Sequence, residues 1–333
     1  MRLGFDHYTV AHRKLSASGC LQFALDHGLE GVQLLEPSIV DPTLCCESMR
    51  DLAAEAQSLG LYLEIGIPSP NPFKVTSQPS RSPSARDHAR ALIPHLEAVS
   101  ALGCHVARAY LGDRHDRFRG DHDWRMQIAA TVDVLRELRP VLLDLGVRVA
   151  LENHADLTTD ELLRVVDEIG SDVLGVTLDT GNLVMRLDDP LRAIERLAPL
   201  VLMTHVKDCS LSFTSRGLAW QARPVGAGIL PIPDMLAALV AWNPDLNLSI
   251  ELHPRIYDLP IFDPSWLGFF PALRAADLAG VVRLAHESER RFVDDRMERP
   301  ETIEAVPWKD RDLDWLARSI GYLRPVVALL TSL

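Results

Sequence analysis

Along the chain, short apolar runs alternate with longer stretches in which apolar residues recur every three or four positions, and this rhythm continues over most of the sequence. Buried parallel strands read as continuous apolar runs, while the helices that cover them show one apolar face, so the alternation predicts repeated strand–helix units and a parallel sheet. The runs predict eight strands, at residues 2–6, 31–35, 61–65, 105–110, 148–152, 174–179, 201–206 and 246–251.

The segments between them carry helix signals. Asp41-Pro42 supplies a cap followed by proline at a first helical position, with Leu44, Leu52, Ala56 and Leu59 on one side and Gly60 as a stop. Thr158 to Glu161 reads as a capping box ahead of Leu162, Val165, Val166 and Ile169, with Gly170 at the end. Ile128, Val132, Leu135, Leu138, Leu142 and Leu145 step by three or four and form one helix face.

Eight such units close into a (β/α)8 barrel or spread into a doubly wound open sheet. No GxGxxG follows the first strand, and polar residues recur at strand C-terminal ends, where barrel enzymes place their chemistry. A TIM barrel over residues 1–289 is therefore predicted. Residues 67–84 hold five prolines and five serines, too many for a regular element, and predict a lid or a long loop on the catalytic face. Residues 290–333 exceed what a barrel of ~250 residues needs. Within them Trp315, Ile320, Leu323, Val326, Val327 and Leu330 predict a helical extension packed on the barrel or on a partner subunit in a homo-oligomer.

Composition narrows the function classes. Hydrophobic residues make up 47% and charged residues 24%, the usage of a globular protein. A net charge of −12 creates no field that favours nucleic acid or an anionic membrane surface, so neither is expected as a partner. No run approaches ~18 apolar residues, and the first ten lack a signal-peptide layout, which predicts a cytoplasmic protein. The five cysteines are scattered without a CxxC, so neither a disulfide framework nor a thiolate zinc site is expected.

The chemistry is carried by four strand ends: ALENH with Glu152, TLDTGN with Asp179, MTHVKD with His205 and SIELH with Glu251. They lie 27, 26 and 46 residues apart, about one strand–helix unit each, the last lengthened by a loop holding Arg223. Side chains alternate along a strand, so an inward Glu152 carries Arg148, Ala150 and His154 with it. By the same parity Asp179 goes with Gly175 and Thr177, His205 with Val201, Met203 and Lys207, and Glu251 with Asn247, Ser249 and His253. Leu151, Leu178 and Ile250 then face the helices. Three carboxylates and an imidazole at one barrel mouth repel strongly unless a cation sits among them. Mixed O3N ligation suits Mn2+ first, with Mg2+, Co2+ and Zn2+ as alternatives.

In the ordered set LENH, LDTGN, HVKD and IELH the chain resembles the xylose isomerase-like TIM barrels, which include sugar phosphate isomerases and epimerases, ketose 3-epimerases, hydroxypyruvate isomerases, inosose dehydratases and endonuclease IV. The resemblance covers residues 1 to about 290 and implies that Glu152, Asp179, His205 and Glu251 are metal ligands. It also implies that Glu152 and Glu251 form an acid/base pair. A metal chelated by a substrate carbonyl and a neighbouring hydroxyl acidifies the intervening C–H and stabilises an enediolate. Sugar or keto-sugar isomerisation or epimerisation is the first expectation, and loss of CO2 or water from a keto sugar acid, a lyase reaction, is the alternative. A small carbohydrate or keto acid is thus the expected substrate.

Further positions are expected to contact that substrate: His7 and Glu36 after the first two strands, Arg108 near the end of the fourth, His154, Asn182, Lys207, His253, and Arg223, which resembles a basic residue in the family's loop after strand seven. Arg108 can equally neutralise an acid inside the barrel. The segment from Pro254 to Phe270, with Arg255, Tyr257 and Trp266, is expected to shape the pocket. Asn182 stands where several ketose epimerases carry histidine. An abasic-site endonuclease would need further histidines and an HLND-type segment in place of HVKD, and a non-catalytic sugar-binding barrel would tolerate a damaged ligand set, which this chain does not have.

Overall fold

A computed structural model describes residues 1–74 and 84–331, so half of the Pro/Ser stretch, and with it the lid expectation, lies outside the described residues. The strands are β1 (Arg2–Asp6), β2 (Gly31–Leu34), β3 (Tyr62–Gly66), β4 (Val106–Ala109), β5 (Arg148–Glu152), β6 (Leu174–Asp179), β7 (Val201–Val206), β8 (Asp208–Thr214), β9 (Gly217–Arg223), β10 (Asn247–Ile250) and β11 (Ile256–Leu259). Eight of them close a parallel barrel in the order β1-β10-β7-β6-β5-β4-β3-β2, with Leu3 opposite Leu248 and Phe5 opposite Val32 at the closure. These are the eight predicted strands, displaced by one residue or so at their ends.

The division of side chains follows strand parity. Leu151, Leu178 and Ile250 are fully buried in the shell between barrel and helices. The barrel interior is filled by a polar layer instead: Glu64 accepts from Asn247 Nδ2 at 2.9 Å and Gln33 Nε2 at 3.1 Å, and Tyr62 Oη lies 3.2 Å from Ser249 Oγ. Gly4 and Gly31 make room for Tyr62, since a Cβ on either would overlap its side chain. Arg148 shares Glu152's parity but stands at the opposite, N-terminal end of β5, where it is exposed.

Two local readings change. The helix expected to start at Asp41-Pro42 begins at Cys46, because Leu44 takes a left-handed backbone (φ 59°) and the Asp41 carboxylate is spent on Thr43 and Ser48. The loop between the seventh and eighth barrel strands is a β-hairpin: β8 and β9 pair antiparallel, and β11 adds a third strand beyond β9. The capping box at Thr158 and the long amphipathic helix, Trp124–Leu145 closed by Gly146, form as read.

The C-terminal segment is built into the fold. The helix Ala275–Val293, which spans the proposed boundary at 290, lies on the hairpin, with Ser288 Oγ accepting from Leu211 N at 3.1 Å. The last helix, Asp312–Thr331, packs on β1 and on the helix Ile232–Val240, burying Trp315, Leu316, Ile320 and Leu323. Asp312 at its start accepts two hydrogen bonds from Arg13, both at 2.8 Å, and Arg324 reaches the Gly28 carbonyl at 2.7 Å.

Candidate metal centre and substrate pocket

Glu152, Asp179, His205 and Glu251 stand at the C-terminal ends of β5, β6, β7 and β10 and are all buried. Each offers one ligand atom, and these atoms lie within 4.8 Å of one another. The geometry fits a cation. Glu251 Oε2 and His205 Nδ1 lie 2.6 Å apart, both turned into the space between the four side chains, as two ligand atoms of one cation would be. His205 is oriented from behind: its Nε2 donates to Gln33 Oε1, and Gln33 donates onward to Glu64, which turns Nδ1 towards the centre. The donor set of three carboxylate oxygens and one imidazole, with no thiolate, suits a divalent ion of intermediate hardness.

The neighbouring cations divide the four ligands. Arg108, buried, holds Glu152 Oε2 through both Nε, at 2.5 Å, and Nη2. Burial alone would raise the Glu152 pKa, but Arg108, His205 and His154 outweigh it and hold the carboxyl well below its usual range. Lys207 Nζ lies 2.7 Å from Asp179 Oδ2 and 3.0 Å from Glu251 Oε1. Asp179 nevertheless goes the other way, up to about 6, because burial and the charges of Glu251 and Glu152 outweigh Lys207. Its carboxylate is also fixed by the backbone N–H groups of Gly181 and Asn182 and by Asn182 Nδ2 at 2.6 Å. Gly181 lets Lys207 in: a Cβ there would meet Lys207 Cβ at 2.8 Å.

Above the centre opens a pocket of about 580 Å3, within the usual range for small-molecule sites. Of the residues expected there, Arg108, His154, Asn182, Lys207, Glu251 and His253 line it. His154 Nδ1 donates to the Gly112 carbonyl, 3.0 Å away, and its ring lies 4.4 Å from that of Tyr110. His253 packs beside Trp220 and Tyr8, and burial holds its pKa well below the ordinary value.

Three expectations land elsewhere. His7 and Glu36 are off the pocket wall because alternation turns their neighbours inward: Asp6 and Tyr8 line the pocket on one side, Leu35 on the other. His7 is buried with Nδ1 unpartnered, and Glu36 precedes a short 3-10 turn. Arg223 is sequestered on the hairpin, donating to Ser210 Oγ at 2.8 Å and the Glu298 carbonyl at 2.8 Å. The basic side chain that does reach the pocket from this region is Arg255, beside Tyr8 and Tyr257. Gln33 and Asp6 were also missed, though the inward parity of Gly31 and Leu35 marks Gln33, and that of Gly4 marks Asp6.

The sequence model of the xylose isomerase-like TIM barrels matches residues 21–264. The chain belongs to this family. Within and around it, the chain is 32% identical over 239 residues to a 3-oxo-isoapionate decarboxylase from Pectobacterium atrosepticum, covering 71% of this chain and 78% of that enzyme. It is 28% identical over 108 residues to the uncharacterised Escherichia coli protein YihM, a match that spans 33% of that protein. Among solved structures, a D-psicose 3-epimerase determined in the presence of D-fructose superposes with a TM-score of 0.58 at 19% identity, over 88% of this chain and 99% of that one. In this chain the family's barrel carries a buried cluster of four residues able to hold a divalent metal. No described helix is long and apolar enough to cross a membrane.

Proposed function

We propose that this chain is a divalent-metal-dependent lyase, with Mn2+ as the ion, that removes CO2 from a 3-oxo sugar acid. The observation that carries this reading is the grip of Arg108 on Glu152. Isomerisation or epimerisation needs a carboxylate basic enough to take a proton from carbon, and a carboxylate whose oxygen is held by a buried guanidinium is a weak base. Decarboxylation needs no such base: the C–C bond to the departing carboxylate breaks, and its electron pair moves towards the keto oxygen. The named activity of the relative at 32% identity supports the same class.

A divalent cation held by Glu152, Asp179, His205 and Glu251 would supply the electron sink, polarising the keto oxygen it shares with a neighbouring hydroxyl. Arg108 keeps Glu152 ionised and in place. Asn182 and the two backbone N–H groups hold Asp179, and Gln33 holds the His205 tautomer. After CO2 departs, the carbon that bore it needs one proton, and Lys207 Nζ, beside both Asp179 and Glu251, is placed to deliver it. Those two carboxylates raise the Lys207 pKa well above its ordinary value, and a cation among them cancels that pull, so Lys207 becomes a usable acid in the loaded site. Arg108, Lys207 and Arg255 give the pocket the positive charge a sugar acid requires.

Epimerisation of a ketose remains as a second reading because Glu152 and Glu251 both stand at the centre as the family's acid/base pair would. Incubating the Mn2+-loaded protein in D2O with 3-oxo-isoapionate and other 3-oxo sugar acids separates the two. The lyase reading expects CO2 and a product carrying one solvent deuterium. Exchange and inversion at neutral ketoses with no CO2 from any acid would reject it. Glu152→Gln, which weakens the cation site, is expected to lower turnover by about a hundredfold or more.

A further inference from the structure

Beside the catalytic pocket lies a smaller chamber of about 140 Å3, and the two share Arg114, Ala155 and Tyr257 in their walls. Its remaining walls include Phe118, Trp266, Asp258 and Arg186. At about 30 Å3 per liquid water it has room for a small oxyanion.

Its two arginines are unspent. Among the described residues neither side chain donates a hydrogen bond or joins an ion pair; Arg114 stacks 4.8 Å from the Tyr257 ring, and Arg186 lies 5.4 Å from the Phe118 ring. Arg186 is only 4% exposed, and its Nε and Nη1 are buried without partners. The acids near it are committed elsewhere: Asp188 accepts from Thr159, Asp156 from Gly112 and Leu157, and Glu161 from Arg117. Burial and the like charge of Arg117 outweigh the pull of Asp156, Glu161 and Asp188 and lower the Arg186 pKa to about 9. A buried guanidinium with free N–H groups is costly unless something pairs with it. Among the described residues Asp258 is the one acid in the chamber wall, and it makes no ion pair with either arginine.

We propose that this chamber receives an anionic group at the far end of the substrate, a phosphate or a second carboxylate, held between Arg114 and Arg186. Resting on the lyase reading, this makes the substrate a sugar acid with a second negative charge remote from the carbon that loses CO2. Planar guanidinium forks suit either oxyanion, and the aromatic walls exclude water from the pairing.

The test measures binding of three unreactive sugar acids to the full-length, Mn2+-loaded protein by calorimetry: D-ribonate, 5-phospho-D-ribonate and ribarate. They share a chelating carboxylate end and differ at the far end. At least one of the two dianions is expected to bind about tenfold or more tightly than ribonate, as charge-assisted hydrogen bonds predict; which one does so distinguishes phosphate from carboxylate. That advantage is expected to fall towards unity in Arg114→Ala and in Arg186→Met. Arg114 is only half-buried, so Arg114→Ala decides the matter if Arg186→Met does not fold. Equal binding of all three acids, no binding of any, or an advantage that survives Arg114→Ala overturns the proposal. None of these readings depends on CO2 release. A dianion preference without decarboxylation would leave the chamber and reject the lyase, and decarboxylation without the preference would do the reverse.

Discussion

Glu152 and Asp179 are chemically similar side chains on adjacent strands, yet their surroundings drive them apart. Arg108 holds Glu152 ionised, whereas burial beside other acids raises Asp179 to about 6. Replacing the guanidinium in Arg108→Met removes charge-assisted hydrogen bonds of ~1.5–3 kcal/mol, which would raise the Glu152 pKa by about one to two units. The expected outcome in the metal-loaded enzyme is slower CO2 release together with new exchange of the α-hydrogen of neutral ketoses, read by NMR in D2O. The Asp179 value bears on the metal. A cation needs the carboxylate, so below pH 6 a proton competes with it and above pH 6 it does not. Apparent Mn2+ affinity should therefore drop by up to about tenfold per pH unit below that value, and His205, whose pKa Glu251 and Glu152 raise well above that of a free imidazole, keeps the affinity rising with pH above it. Calorimetric titrations at pH 5, 6, 7 and 8 that gave the same affinity would contradict this assignment.

The hairpin β8–β9 braces the metal centre from outside the barrel. Trp220 on β9 is fully buried and donates from Nε1 to the Gly181 carbonyl at 3.1 Å, and Gly181 in turn presses against Lys207. Thr180 ties the same loop to β7 by accepting from Lys207 N at 2.8 Å and donating to the Lys207 carbonyl at 2.7 Å. Gly181→Ala should therefore displace Lys207 while leaving the barrel ladder intact. We expect kcat to fall by about tenfold or more with little change in Tm; a comparable loss in both would mean the substitution acts through folding instead. The hairpin was hard to read in sequence because its strands follow β7 with a single intervening residue, Lys207, and half of their residues are polar. Period-two alternation is weak in strands whose pairing partners and burial come from other elements.

The far end of the chain completes the helical shell around the barrel. The last helix covers β1 and the helix Ile232–Val240, so residues more than 300 positions from the first strand complete the barrel's shell. Leu316 within it is fully buried, and Leu316→Ala should cost about 2–5 kcal/mol, seen as a lower denaturant midpoint with an unchanged slope. A variant as stable as the parent would show that this helix is an appendage. The barrel also explains why the site survives as a buried charge cluster. Four strand ends deliver acids and an imidazole into one space, and Arg108 from the neighbouring β4 and Lys207 just after β7 offset part of the repulsion.

Strand periodicity, the strand-end acids and the parity of their neighbours were all written in the order of residues, because alternation and burial along a strand are local consequences of backbone geometry. That was enough to mark the barrel, the four residues able to hold a metal, and the inward course of His154, Lys207 and His253. It was not enough for His7, Glu36 and Arg223, whose positions follow turns and pairings made after each strand ends. Which carboxylate Arg108 would hold, where the hairpin would lie, and that Arg114 and Arg186 would face one chamber depend on segments distant in the chain meeting in space. Only closure of the barrel brings those charges within range of one another, where Coulombic and hydrogen-bonding forces decide their roles.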